Sequence, residues 1–139
     1  MQSDYSIVNA DEVEDSYAES DVPGEFRRLT DALGAEQVAI TLIRVPPHSD
    51  FEQGTGHSHD ETEEHYIVTS GALTMRFGDE IETVSAGSVV RVAPGTVRSH
   101  RNEGDEPVEM WAISRKSERE DSNKVDDFWE PSEQARQTR

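Results

Sequence analysis

The sequence predicts a single all-β domain, a barrel or sandwich of short antiparallel strands. Three observations carry that expectation. Turn residues punctuate the chain at Ser70-Gly71, Gly78-Asp79, Ala86-Gly87, Pro94-Gly95 and Glu103-Gly104-Asp105, a rhythm of seven to nine residues. Between them lie short runs of Val, Ile, Thr, Leu, Met and Phe, which suit a pleated, half-buried surface and are too short for stable helices. Hydrophobic residues make up 32% of the 139 positions and charged residues 31%, enough for one small core under a charged shell.

Taken in order, residues 1–22 form an acidic N-terminal arm with Asp11, Glu12, Glu14, Asp15, Glu19 and Asp21 among few apolar groups. It reads as a solvated arm, in which Ser6-Ile7-Val8 could add a short strand to a partner subunit. The barrel is expected over 23–115. Phe26-Arg27-Arg28-Leu29 is a short strand and Asp31 to Gly34 a turn. Gln37 to Val45 is a strand stopped by Pro46-Pro47. In Leu73-Thr74-Met75-Arg76-Phe77 the odd positions share one apolar face. Val89 to Val92 and Val108 to Ile113 are further strands. Residues 116–139 read as a charged linker to Lys124 and a C-terminal helical extension. Val125, Phe128 and Trp129 provide its apolar lead-in, Pro131 suits a first helical turn, and Ser132 to Arg139 are mostly good helix formers.

Charge and composition narrow the function classes. The net charge of −17, from 30 acids and 13 bases, repels nucleic acid and anionic membranes, so neither is expected as a partner. No cysteine is present, which removes disulfides, thiolate metal sites and thiol nucleophiles; a metal must be held by nitrogen and oxygen. There is no apolar run of bilayer length, and the first residues lack a basic, then apolar, leader; a cytoplasmic protein is the expectation. No Ser-His-Asp arrangement, phosphate loop or basic aromatic patch stands out.

The chemistry concentrates between His57 and Gly71. His57 and His59 stand two apart, so on an extended strand both imidazoles face one way, and Glu64 opens the next extended run. Two imidazoles and a carboxylate converging on one point can bind a divalent transition metal. An exposed hairpin edge uses the same residue types, so the motif depends on its context. Tyr66 shares the parity of Glu64 and is placed either to line a pocket or to pack within the barrel. His65 faces away from Glu64, towards the surface or a subunit contact, and His48 reads as loop. Met75, Phe77, Met110 and Trp111 are assigned to wall and core.

These residues resemble the two signature segments of the cupin family. The first segment of that family reads Gly-x5-His-x-His-x(3 or 4)-Glu-x6-Gly. Here His57, His59, Glu64 and Gly71 match in register, with Phe51 in place of the leading glycine. The second reads Gly-x5-Pro-x-Gly-x2-His-x3-Asn. Gly87, Gly95 and Asn102 match, the proline comes one place late at Pro94, and Arg98 stands where the family has its histidine. The resemblance covers roughly residues 37–113. It implies a double-stranded β-helix, a jelly-roll-like barrel with the motif side chains pointing inward, often assembled as a homodimer.

It also implies a divalent metal (iron, manganese, nickel, copper or zinc) on His57, His59 and Glu64. Three protein ligands leave positions open for water or substrate. Arg98 has no lone pair and cannot replace the missing ligand. Two roles are open to it. It pairs with Glu64 as a structural ion pair, or it reaches past the metal and clamps the anionic group of a bound small molecule. His100 shares the parity of Arg98 and is a further candidate ligand if a bulge shifts the register. The functional expectation is a barrel that binds a metal and a small, anionic organic molecule through Arg98 and Tyr66, as an oxygenase or isomerase. Its alternative is a metal-free, non-catalytic cupin that binds a small ligand or serves as a structural or regulatory dimer.

Overall fold

The computed structural model describes residues 4–117 and 120–129. Among these residues ten strands form two antiparallel sheets, and between them lies one core. The first sheet has the order β1-β2-β9-β4-β7 and the second β10-β3-β8-β5-β6. In chain order the strands are β1 (Glu25–Arg28), β2 (Val38–Val45), β3 (Gly56–His59), β4 (Glu64–Ser70) and β5 (Ala72–Phe77). They continue with β6 (Glu80–Ser85), β7 (Val89–Val92), β8 (Arg98–Arg101), β9 (Val108–Arg115) and β10 (Ser122–Val125). This is the expected all-β barrel of double-stranded β-helix type.

Alternation decides what faces inward. Ile43 and Val45 of β2, Tyr66 and Val68 of β4, Leu73 and Met75 of β5, and Val108 and Met110 of β9 meet in the core. That apolar packing fills one end of the barrel. The other end keeps polar inward positions, Glu64, His57, His59 and His100, and stays hollow. Trp111 follows Met110 by one residue and is only half-buried. Parity puts it on the outer face, not in the core.

Turn chemistry holds the register. Gly71 joins β4 to β5 at φ 77°, and a Cβ there would stand 2.5 Å from the Pro107 carbonyl oxygen. Only glycine meets both conditions. The expected turn at Asp31 to Gly34 is a one-turn helix, α1 (Thr30–Leu33), ended by left-handed Gly34, whose N–H bonds the Asp31 carbonyl.

Three stretches differ from the sequence reading. The later part of the arm is docked, not free. Asp15 bridges to Arg27, its carboxylate accepts from the Phe26 N–H at 2.9 Å, and Tyr17 packs edge-on against Phe26 and Phe51. Within the chain itself Ser6 to Val8 are not a strand. Within the stretch expected as a charged linker, Ser122–Val125 are strand β10, paired antiparallel to β3. Beyond β10 the chain crosses the outer face of the second sheet. Trp129 is buried there, its indole N–H bonds the Ser99 hydroxyl at 2.9 Å, and Arg101 stacks on its ring at 4.2 Å. Gly56 makes room for this crossing, since a Cβ would stand 2.6 Å from the Phe128 ring. The helical extension expected from Pro131 to Arg139 lies outside the described residues.

Candidate functional site

The hollow end of the barrel is a cavity of about 480 Å³ lined by residues of both sheets and of the docked arm. His57 and His59 reach it from β3, Glu64 and Tyr66 from β4, and His100 from β8. One ligand atom from each of His57, His59 and Glu64 lies within 4.8 Å of the others. The Nε2 atoms of His57 and His59 stand 3.8 and 3.9 Å from Glu64 Oε1.

The opposite nitrogens of both rings are held by carboxylates. His57 Nδ1 is 3.2 Å from Glu52 Oε1, and His59 Nδ1 is 2.8 Å from Asp121 Oδ1. A carboxylate on Nδ1 fixes that nitrogen as an N–H donor and turns Nε2 towards the cavity, where its lone pair is free once the ring is neutral. Asp121 is locked in turn by the Thr62 hydroxyl at 2.7 Å and the Glu61 N–H at 3.1 Å. Neither carboxylate was marked by the sequence. Glu52 lies in a loop before β3, and Asp121 immediately precedes a four-residue strand too short for periodicity to show.

Arg98 sits opposite His57 in the β3–β8 register and is almost fully enclosed, at 1% exposure. Its Nη2 donates to Glu64 Oε1 at 2.6 Å, its Nε to the Tyr66 hydroxyl at 3.2 Å and its Nη1 to the Thr96 carbonyl at 3.1 Å. Tyr66 donates its own hydroxyl proton to Glu64 Oε1. Of the two roles open to Arg98, the geometry matches the ion pair with Glu64. The guanidinium lies in the barrel wall, bonded to Glu64, Tyr66 and Thr96. Tyr66 does line the cavity, with its hydroxyl turned to Glu64. His100 enters without a bulge, in continuous register with β5. It stands apart from the three-residue cluster, with Nδ1 at 3.8 Å from Glu52 Oε1. His65 is half-exposed beside Glu63, and His48 is an exposed loop residue on Asp105.

The electrostatics call for a cation. Glu52, Glu64 and Asp121 place three carboxylates around two imidazoles, against the guanidinium of Arg98 and the proton held on His57. Burial pushes Glu64 up, but bonds from His57, Tyr66 and Arg98 outweigh it and hold its pKa down at about 2. Burial pushes His57 down, yet Glu52 and Glu64 carry it up to about 9. Burial raises Glu52 too, and its bond from His57 outweighs that and lowers it. Asp121 is also held low, with hydrogen bonds from Thr62 and His59 prevailing over desolvation. His100, buried, is pushed down towards the neutral imidazole.

The donor set fits a divalent metal. Two oriented imidazole lone pairs and an ionised carboxylate are the right chemistry. The two hydrogen bonds on Glu64 Oε1 leave the carboxylate further lone-pair sites. Among the described residues, no helix is long and apolar enough to cross a membrane.

A two-sheet antiparallel barrel with a His-x-His pair and a glutamate inside defines a double-stranded β-helix protein with a candidate metal centre. The Cupin domain family model matches residues 41–114, and the chain belongs to the cupin family. The chain is similar to a protein assigned as a sugar phosphate isomerase from Acidithiobacillus ferrooxidans. Identity is 25%, the match covers 68% of this chain and 60% of that one, and the TM-score is 0.59. A cupin-superfamily sugar phosphate isomerase from Silicibacter pomeroyi is 21% identical over 81% of this chain and 76% of its own, with a TM-score of 0.67. The polyketide cyclase RemF from Streptomyces resistomycificus is 16% identical over 94% and 92%, with a TM-score of 0.69. The last two likenesses are of fold. No curated protein matches this chain.

Proposed function

We propose that this cupin binds a divalent transition metal on His57, His59 and Glu64 and a small organic molecule beside it in the barrel. The observation that carries the reading is the pair of carboxylates, Glu52 and Asp121, each on a histidine Nδ1. A histidine pair in an idle hairpin has no need of such support. A metal bound there supplies Lewis acidity and open coordination positions. The protein's own part is to hold both imidazoles in one tautomer, keep Glu64 ionised through Arg98 and Tyr66, and shelter the ligand from bulk water. Catalysis of the isomerase or oxygenase type is consistent with a half-open cavity that sets the polar cluster among apolar side chains, and two of the similar structures carry the name of isomerase.

The Arg98–Glu64 ion pair favours a second reading, a metal-free cavity that binds its ligand by hydrogen bonds and shape. Elemental analysis of untagged protein, beside His57→Ala and His59→Ala, separates the two. Near-stoichiometric metal lost in both variants supports the first reading. Protein that carries none, and gains none on incubation with manganese, iron, nickel, copper or zinc, leaves the second.

A further inference from the structure

The inward faces of β2 and β9 change character along their length. At the closed end Ile43 opposes Met110 and Val45 opposes Val108, all of them buried. At the hollow end the same faces carry Thr41 opposite Ala112 and Ala39 opposite Ser114. These four residues line the cavity, yet each is only half-buried although it points into the barrel. Large side chains fill one end, and small ones leave the other open. The hollow is therefore written into two adjacent strands.

The small residues form a block in register. One strand spacing, about 5 Å, separates β2 from β9, and two residues along a strand cover about 7 Å. That is close to the footprint of a single aromatic ring. Strand β4 comes next in the sheet, where Ala112 opposes Tyr66 and Ser114 opposes Glu64. One further strand spacing, about 5 Å, therefore leads from the block to the carboxylate of the candidate metal centre. Rings border the block on the β1 side. Phe26, beside Ile43 in register, stacks on Phe51 at 5.9 Å, and Tyr17 of the docked arm meets both edge-on.

We propose that this block seats the aromatic ring of a small ligand whose oxygen-bearing substituent reaches the metal beside Glu64. The inference rests on the cavity's being the small-molecule site of the proposed function, and it names the class of molecule. With a dication bound and the His57 proton displaced, the carboxylates of Glu52, Glu64 and Asp121 are balanced by Arg98 and the metal. No net charge is left to select an anion, so recognition falls to apolar contact and fit.

Two matched probes test this on the full-length protein. Benzohydroxamate and acetohydroxamate share one metal-binding head and differ only in a ring against a methyl group. Each is titrated into zinc-loaded and metal-stripped protein, with metal content measured in parallel, and binding is followed by NMR of isotope-labelled alanine methyls. Zinc-loaded protein should bind benzohydroxamate about tenfold tighter than acetohydroxamate, and only the ring should move the Ala39 and Ala112 signals. Stripping the metal should weaken both probes and leave the ring-dependent shifts in place. Ala112→Leu lays a branched side chain over the seat and should bring benzohydroxamate down to the affinity of acetohydroxamate. Ala39→Leu, from the neighbouring strand, should do the same. Melting curves establish that the variants keep the barrel, and the methyl shifts of the parent decide the matter without them.

Equal affinity for the two probes, or alanine methyls unmoved by the ring, overturns the proposal. So does a ring preference that survives both leucine variants, or the failure of benzohydroxamate to bind either form at millimolar concentration. Zinc refused, with the ring-dependent shifts intact, defeats the metal reading alone. Zinc held, with no preference for the ring, defeats this proposal alone.

Discussion

Raising the pH should tighten metal binding, and His57 sets the slope. A metal needs the neutral imidazole, whereas His57 holds its proton up to about pH 9 because Glu52 and Glu64 outweigh the burial that opposes it. At pH 7 the group lies about two units below that value. Each unit is a factor of ten, so the proton weakens binding about a hundredfold, or about 2.7 kcal/mol, relative to a pH above the titration. Glu64, held near 2, is already ionised and adds nothing to the slope in this range. The assay is competition for manganese between metal-stripped protein and a chromogenic chelator, repeated from pH 6.5 to pH 9. Calorimetry in buffers of different ionisation enthalpy then counts the protons released. Affinity should climb by about a decade per pH unit, with close to one proton released per metal at pH 7. A flat profile between pH 7 and pH 9 with no proton released would mean that the metal does not displace a proton from His57, and the reasoning would fall.

The same two groups set an acid-base window for the metal-free fold. Glu64 stabilises above its ordinary value of 4.5, a contribution lost as pH falls towards about 2, and His57 stabilises below 6.5, a contribution lost as pH rises towards about 9. Thermal melts of stripped protein should therefore peak between about pH 4.5 and pH 6.5, and a monotonic rise to pH 9 would contradict it. Asp121→Asn replaces the carboxylate on His59 with an amide, and metal affinity by the chelator assay should drop about 10- to 100-fold with the melting temperature little changed. Trp129→Ala empties a buried ring site and strips the Ser99 hydroxyl of its indole partner; unfolding in urea should show a loss of about 3–5 kcal/mol. Arg98→His removes a cation next to Glu64 and offers a nitrogen at the family's position, so metal affinity should rise. No gain would mean that this position never faces the metal.

How much of this was legible in the sequence follows from what repeats and what does not. Strands such as Leu73 to Phe77 and Gln37 to Val45 declare themselves through alternation and β-branched content, because every second side chain enters one core. His57, His59 and Glu64 were legible for the same reason: parity sends the imidazoles to one face, and the next strand brings the carboxylate opposite. Strand β10 was not, since Ser122 to Val125 is short, polar and half a barrel away from its partner β3 in sequence. Its pairing depends on Trp129 and Phe128 anchoring the chain over Gly56, a tertiary fact without a local pattern. The docking of Tyr17 on Phe26 and Phe51 escaped for the same cause. Acidic residues on both sides made the arm read as solvated, whereas one carboxylate, Asp15, caps the β1 backbone and fixes it.

The two missed regions are also where the site acquires its specificity. The motif residues alone form a cluster that many barrels of this family could share. What distinguishes this chain comes from outside the motifs. Asp121, delivered by the strand taken for a linker, sets the tautomer of His59. Tyr17, from the arm, packs against the rings that connect Arg28 to His100. Arg98, within a motif but contrary to it, trades a ligand position for a fixed charge on Glu64. A guanidinium enclosed to 1% exposure cannot turn to solvent when a metal arrives, so its repulsion is a permanent feature of the site. The three carboxylates around the imidazoles still outnumber the charges of Arg98 and protonated His57, and the excess is negative. An anionic ligand entering such a place needs its own counter-charge.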